Sequence, residues 1–353
     1  MKRFLAVFAA ILCIFSNYCP ANDNINRTLD IYFLDMVGGG STLIVTPLVE
    51  SVLIDTGSLE PMHRDADRMH QVCKYAGLKQ IDYLITTHFD SDHYGGILEL
   101  SKRIPIKCFM DKGALPPKHQ QDSRSFKKLY PLYQQATKGK VTPIHVGDDI
   151  PLKSDTGGKM PSIKLHCVAS EKQIEGFHGD IDAPVEGCVI KKADEGDNAR
   201  SIALVLTYGR FKFFAGGDIT WNVEHHLAHP VNRIGKIDLY QVTHHGLDQS
   251  NNPLLLKALN PTVCVAMNGP RKGIQPNTFS AMKALPSVKA IYQIHYNTMY
   301  GNEGNTAEEF IANKNDPNKG ELIKASVDPE KGNFTVSIGV NGPKQTFPIQ
   351  QKL

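Results

Sequence analysis

The chain has 353 residues, 41% hydrophobic and 21% charged, with a formal net charge of +3. That is the balance of a globular protein able to bury a core. So small a charge gives no global field for capturing polyanions, which argues against a dedicated nucleic-acid binder while leaving room for a local patch.

At the N-terminus, Lys2 and Arg3 precede an unbroken apolar run from Phe4 to Phe15, and small residues follow at Cys19 and Ala21. This is the pattern of a secretory signal peptide over residues 1–21, cleaved after Ala21. The run is short for a bilayer span. The expectation is a secreted or periplasmic protein with no stable membrane association after cleavage. Loss of Lys2 and Arg3 lowers the formal charge to about +1. Five cysteines remain, Cys73, Cys108, Cys167, Cys188 and Cys264. They are scattered and odd in number, so they are no disulfide framework, although one or two bridges are permitted in an oxidising compartment.

Residues 28–57 read as three strands, IYFLDMV, STLIVT and VESVLIDTG, with GGG after the first. Met69, Val72, Cys73 and Ala76 stand at i, i+3, i+4 and i+7, which marks a helix face. KQIDYLITT is a strand ending at His88, and GGILELSKRI is helical. A loop-rich region is expected near 103–200, because Pro, Lys and Gly are frequent there. SIALVLTY and FKFFA then form a hairpin ending at Gly216-Gly217-Asp218, and TWNVEHHLA is a short helix whose His225 and His226 read as surface. IDLYQVT ends at His244-His245, NNPLLLKALNP is a helix, TVCVAM ends at Asn268, and IYQI ends at His295. The tail reads as a β-hairpin. Polar groups repeatedly stand where a strand stops, which is where a rigid scaffold places reactive side chains.

The segment THFDSDHYGG (Thr87 to Gly96) puts His88, Asp90, Asp92 and His93 into six positions between an apolar strand and a Gly-Gly helix start. Carboxylates this close repel unless a cation neutralises them. Imidazole and carboxylate together suit Zn²⁺, Mn²⁺ or Fe²⁺.

This segment resembles the H-x-H-x-D-H motif of the metallo-β-lactamase superfamily, with Asp90 in place of the second histidine. The H-x-D-x-D-H form is similar to the branch that contains the extracytoplasmic domain of the ComEC competence protein. FLDMVGGGSTLIVTP, VLIDTG, FFAGGDIT and VTHHGLDQS resemble further motifs of that branch, in the same order, between about residues 30 and 250. The resemblance implies an α/β fold, the αββα four-layer sandwich, over residues 22–300 with the loop-rich region inserted. Residues 301–353 would be a C-terminal extension packed on that domain.

Carried over by position, the resemblance implies that His88 and Asp90 bind a first metal and Asp92 and His93 a second. Asp218 would bridge the two, and His245 would complete the second set. Asp92 would also orient a water or shuttle its proton, and His244 would be a catalytic neighbour in contact with substrate. A further histidine is usual in the superfamily about 20 residues before the bridging aspartate. Here the sequence is DNARS, so Asn198 would contribute oxygen, or the first metal would be weakly held. The implied cofactor is one or two divalent ions, Zn²⁺ or Mn²⁺, with the oxygen-for-histidine changes shifting the choice towards Mn²⁺. Arg271 and Lys272 in NGPRKG are weaker candidates for holding a phosphate, an ordinary turn being as good a reading, and His295 is a weak substrate contact, a satisfied core histidine being the safer reading. Asp35 and Asp55 read as structural. The function expected is a secreted metal-dependent hydrolase of phosphodiester bonds, acting on single-stranded nucleic acid or a small phosphodiester through metal-bound hydroxide. The alternatives are a lactonase or β-lactamase-like hydrolase, or a non-catalytic secreted binding protein with a degenerate metal site.

Overall fold

The alternation of β1 (Leu29–Phe33) sets the architecture. Ile31 and Phe33 point into one apolar cluster while Tyr32, with Leu34 beyond the strand end, points into another. A strand buried on both faces needs a layer on each side. The computed structural model describes residues 28–350 apart from 159 and 317, and the expected signal peptide at 1–21 lies outside them.

β1 pairs antiparallel with β2 (Thr42–Val45), which pairs with β3 (Ser51–Ile54). β3, β4 (Ile81–Ile85), β5 (Ile106–Asp111) and β6 (Thr142–Pro143) then run parallel. A second sheet begins with β7 (Ile163–Ser170), flanked by β8 (Gln173–Ile174) and β9 (Ala203–Tyr208). It continues through β10 (Phe211–Ala215), β11 (Leu239–Gln241), β12 (Val263–Ala266), β13 (Ala290–His295) and β14 (Ile311–Asn313), all parallel from β10 onward. β15 (Ile323–Asp328), β16 (Asn333–Ile338) and β17 (Lys344–Pro348) return to the first sheet, where β15 pairs with β1. The expected terminal hairpin therefore gains a third strand and is continuous with the sheet.

The sheets pack face to face. Leu29, Ile31 and Phe33 from one meet Leu204, Leu206, Phe213 and Val263 from the other in a shared core. The helix Arg64–Tyr75 covers the outer face of the first sheet with Met69, Val72 and Cys73, the residues whose spacing predicts it. Helices Trp221–Ala228, Pro253–Leu259 and Pro276–Lys283 cover the second with Val223, Leu227, Leu255, Leu256, Phe279 and Met282. This is the αββα four-layer sandwich.

Two expectations need correction. The region 103–200 holds β5, β7 and a helix of 14 residues, Arg124–Thr137. Ser123 caps that helix by accepting from Phe126 N, and Phe126, Leu129, Tyr133 and Ala136 form its buried face. Pro131 inside it and the surrounding lysines hide the periodicity. His225 and His226 are buried, not on the surface. The 176–192 segment folds over their helix, with Phe177 stacked on His226 and Val189 O accepting from Trp221 Nε1. The five cysteines at 73, 108, 167, 188 and 264 are all unbridged. Among the described residues no helix is long and apolar enough to cross a membrane.

Glu224 on helix Trp221–Ala228 is fully buried. One oxygen accepts from Asn252 N at 2.7 Å and the other has no hydrogen-bond partner. Burial pushes its pKa up from 4.5 to about 7. Between those values the folded state binds more protons than the unfolded one, so this residue's contribution to stability falls as pH rises through that window. Glu224→Gln should remove the fall, gaining on the order of 2–3 kcal/mol over wild type at about pH 8. Thermal melts of both proteins from about pH 5 to 8 check it; parallel pH profiles would contradict it.

Candidate metal centre

The carboxyl ends of the parallel strands lie along one edge of the sandwich, the usual ligand-binding edge of such sheets. His88 to His93 follow β4, Asp218 follows β10, and His244 and His245 follow β11. The two sheets thus each supply part of one cluster.

Asp218 is its centre. Its Oδ2 lies 3.2 Å from His93 Nε2, 3.3 Å from His245 Nε2, 3.4 Å from His244 Nε2 and 4.0 Å from His88 Nε2. Asp92 Oδ2 lies 3.4 Å from His245 Nε2 and 3.7 Å from His93 Nε2, and the two Nε2 atoms are 3.2 Å apart. Asp90 Oδ2 is 3.8 Å from His88 Nε2.

Each imidazole is aimed by its other nitrogen. His93 Nδ1 donates to Asp55 Oδ2 at 2.7 Å, and His245 Nδ1 donates to Met267 O at 3.0 Å. His88 Nδ1 is 3.0 Å from Thr87 Oγ1, whose single hydrogen is committed to Asp55 Oδ2, so the imidazole donates. His244 Nδ1 likewise donates to Ser250 Oγ at 3.1 Å, since that hydroxyl donates to Ile219 O. All four Nε2 atoms are left facing the carboxylates, and in the neutral imidazoles those atoms carry the lone pairs with which histidines ligate metals. The backbone is bent to achieve this, with His244 at φ 53° and His245 at φ 56°, left-handed values costing roughly 1–3 kcal/mol each for such residues.

A divalent ion fits. Bonds of about 2.0–2.2 Å in tetrahedral geometry separate donor atoms by roughly 3.3–3.6 Å. The donor pairs measured among Asp92, His93, His245 and Asp218 span 3.2–3.7 Å. The set around His88, Asp90 and Asp218 is wider, and His88 Nε2 is a buried atom with no hydrogen-bond partner. The site's electrostatics also call for a cation. Burial opposes the charge on His93, but Asp218, Asp55 and Asp92 raise its pKa well above the ordinary value. Burial and then Asp92 push Asp90 up to about 6, while burial holds His244 down to about 4 and hence neutral.

The other expected site residues are placed as follows. Lys272 reaches the cluster, with Nζ 2.5 Å from Asp92 Oδ2, and Arg271 on the same turn is exposed. His295 is completely buried and bonds Asp35 Oδ1 through Nε2 at 2.7 Å, while Arg68 holds the other Asp35 oxygen. It clamps the tips of the two sheets and is not presented to a substrate, so the reading as a core histidine holds and the weak substrate assignment does not. Asn198 has its Oδ1 buried without a hydrogen bond. Its neighbour Asp197 holds the metal loop, accepting from Phe89 N at 2.7 Å and pairing with the buried Lys112.

Sequence reasoning passed over what supports the ligands. Asp55 does bond a loop amide, Thr87 N, and it also orients His93. The GGG run matters because the chain passes directly beneath the ligands. A Cβ on Gly40 would lie 2.7 Å from His93 Nδ1.

Residues 37–265 match the family model described as the metallo-beta-lactamase superfamily. No curated protein matches the sequence. Among solved structures, the chain is similar to a Parabacteroides distasonis protein named as a metal-dependent hydrolase, with 16% identity over 74% of this chain and 92% of that one and a TM-score of 0.40. It is also similar to CmlA, a diiron β-hydroxylase from Streptomyces venezuelae, with 13% identity over 74% and 47% and a TM-score of 0.37. A third is MEM-A1, a subclass B3 metallo-beta-lactamase from a soil metagenome library, with 12% identity over 75% of each chain and a TM-score of 0.32.

Gly40→Ala should break the His93–Asp55 bond. The expected result is a loss of about 1–3 kcal/mol in urea denaturation, with weaker retention of metal in equilibrium dialysis. Unchanged metal retention would show that this bond does not position His93.

Proposed function

The chain belongs to the metallo-β-lactamase superfamily, and from that premise we propose that it is a metal-dependent hydrolase that cleaves phosphodiester bonds. The observation that carries the reading is the sharing of one carboxylate oxygen, Asp218 Oδ2, among four imidazoles. A carboxylate so placed would be available to both of two neighbouring ions. His88, Asp90 and Asp218 would hold the first; Asp92, His93, His245 and Asp218 would hold the second. When bound, such a pair supplies hydroxide at neutral pH and offsets charge on both the attacking and leaving oxygens of a phosphodiester.

The protein's own groups complete the chemistry. Burial keeps His244 neutral, and its Nε2, 3.1 Å from the Gln249 amide nitrogen, accepts a hydrogen bond or a proton beside the centre. Asp92, partly exposed at the mouth, orients the attacking water or carries its proton away. Two nitrogens and two oxygens in the compact set suit Zn²⁺, while the oxygen-richer set around Asp90 suits Mn²⁺. The mouth is lined by Asp90, Asp92 and Lys272, with Arg271 exposed beside it. The resemblance to the ComEC branch favours single-stranded nucleic acid as substrate, and the near-neutral charge of the chain favours a small phosphodiester. Secretion remains part of this reading through the N-terminal pattern alone.

The test is hydrolysis of bis(p-nitrophenyl) phosphate and of single-stranded DNA by the mature protein, stripped with EDTA and reloaded with Zn²⁺ or Mn²⁺. Metal-dependent turnover of either is expected, and Asp218→Ala should abolish both metal binding and turnover. Preference for nitrocefin or a lactone over both phosphodiesters would move the protein to the C–N or C–O hydrolases. Wild-type activity in Asp218→Ala would overturn the bridging role.

A further inference from the structure

One cation already sits in the donor set. Lys272 Nζ is 2.5 Å from Asp92 Oδ2, the same oxygen that faces His245 Nε2 at 3.4 Å and His93 Nε2 at 3.7 Å. This is not a surface lysine that happens to drift inward. Its turn is closed by Gly269 N donating to Lys272 O at 2.9 Å. The next residues are bonded to the ligand's own backbone, with Ile274 N donating to His245 O at 2.9 Å. Gly273, at φ +82°, lies so close that a Cβ there would be 2.0 Å from His245 O. The ammonium is therefore delivered to Asp92 by the segment that packs on His245.

An ion held by Asp92, His93, His245 and Asp218 needs an Asp92 lone pair directed at it from about 2.0–2.2 Å. It also brings two further positive charges next to the ammonium. The ion and Lys272 Nζ make conflicting demands on one oxygen. We propose that Lys272 is an internal competitor for the metal at Asp92, so that the second ion is loaded only when this ammonium leaves the carboxylate. Lys272 then sets how tightly that ion is held. The side chain is 38% exposed, which gives the released ammonium a path to solvent at the mouth. The proposal rests on the reading that the centre binds divalent ions and is independent of what the enzyme hydrolyses.

The experiment measures metal affinity and not turnover. Metal-free mature protein is titrated with Zn²⁺ against a chromophoric chelator, comparing wild type, Lys272→Met, Lys272→Gln, Lys272→Arg, Asp92→Asn and the double variant Lys272→Met/Asp92→Asn. Circular dichroism verifies that each is folded. Lys272→Met and Lys272→Gln should bind one Zn²⁺, the ion held by Asp92, His93, His245 and Asp218, about tenfold more tightly, the effect of releasing one charge-assisted hydrogen bond. Lys272→Arg should stay near wild type. In the Asp92→Asn background the lysine change should alter affinity by less than about twofold, since the contested oxygen has lost its charge. Equal or weaker Zn²⁺ binding by Lys272→Met and Lys272→Gln overturns the proposal and makes Lys272 a support for Asp92. A full gain that persists in the Asp92→Asn background overturns it too, by showing a general charge effect. Absence of Zn²⁺ binding in every protein, wild type included, would instead sink the metal-centre reading on which it stands.

Discussion

The structure turns on a single oxygen atom. Asp218 Oδ2 is buried among four imidazoles that approach from two separate loops, and none of those loops holds the cluster alone. A buried carboxylate is costly unless it is paired, and burial here works against its charge. His93 and His245 reverse that cost and draw its pKa well below the ordinary value. An arrangement in which imidazoles compensate carboxylates is one a divalent cation stabilises further, because the imidazoles are then free to act as neutral ligands.

That dependence explains why so much of the surrounding polar network has no direct role in binding. The His88–His93 loop belongs to the first sheet and Asp218, His244 and His245 to the second, so the geometry of the centre is the geometry of the sheet edges. Several contacts fix those edges. Thr42 Oγ1 donates to Gln241 Oε1 across the interface, His295 bonds Asp35, and Ile202 N donates to Thr87 O beside His88. Asp197 secures Phe89 N while itself held by Lys112. A shift of the sheets would alter the His88 and His93 distances to Asp218, while His244 and His245, which share its sheet, would keep theirs.

The outline of this arrangement was legible in the chain. Apolar strand runs ending in His88, Asp218 and His245 mark the scaffold and its functional edge, because burial on both faces makes a strand continuous in sequence and a polar group at its end conspicuous. Less legible was whatever depends on contacts distant in sequence. Asp55 reads as a structural residue bonding loop amides, which it does at Thr87 N, but its hold on His93 shows only when the two are seen together. His295 reads as a polar strand end, yet its partner is 260 positions away. His225 and His226 read as surface because nothing in their own helix reveals the 176–192 segment that covers them. The helix Arg124–Thr137 was masked by its own proline and lysines. Ser250, however, had a signal: it stands six positions after His244, within reach of its Nδ1.

Charge gives the last step. The whole chain is close to neutral, which on its own argues against strong attraction for any ion. Locally the balance is different. Asp90, Asp92 and Asp218 face the same small volume, Asp55 lies behind His93, and Lys272 is the ammonium paired with Asp92. With the imidazoles neutral, as ligation requires, those four carboxylates outweigh that single lysine by three charges. The field that matters for a cation falls off over roughly 8 Å in physiological salt, so it is set by this cluster and hardly by the remaining surface. A near-neutral protein can therefore hold a strongly anionic centre, and the sequence feature that reports it is the local spacing of aspartates and histidines rather than the total.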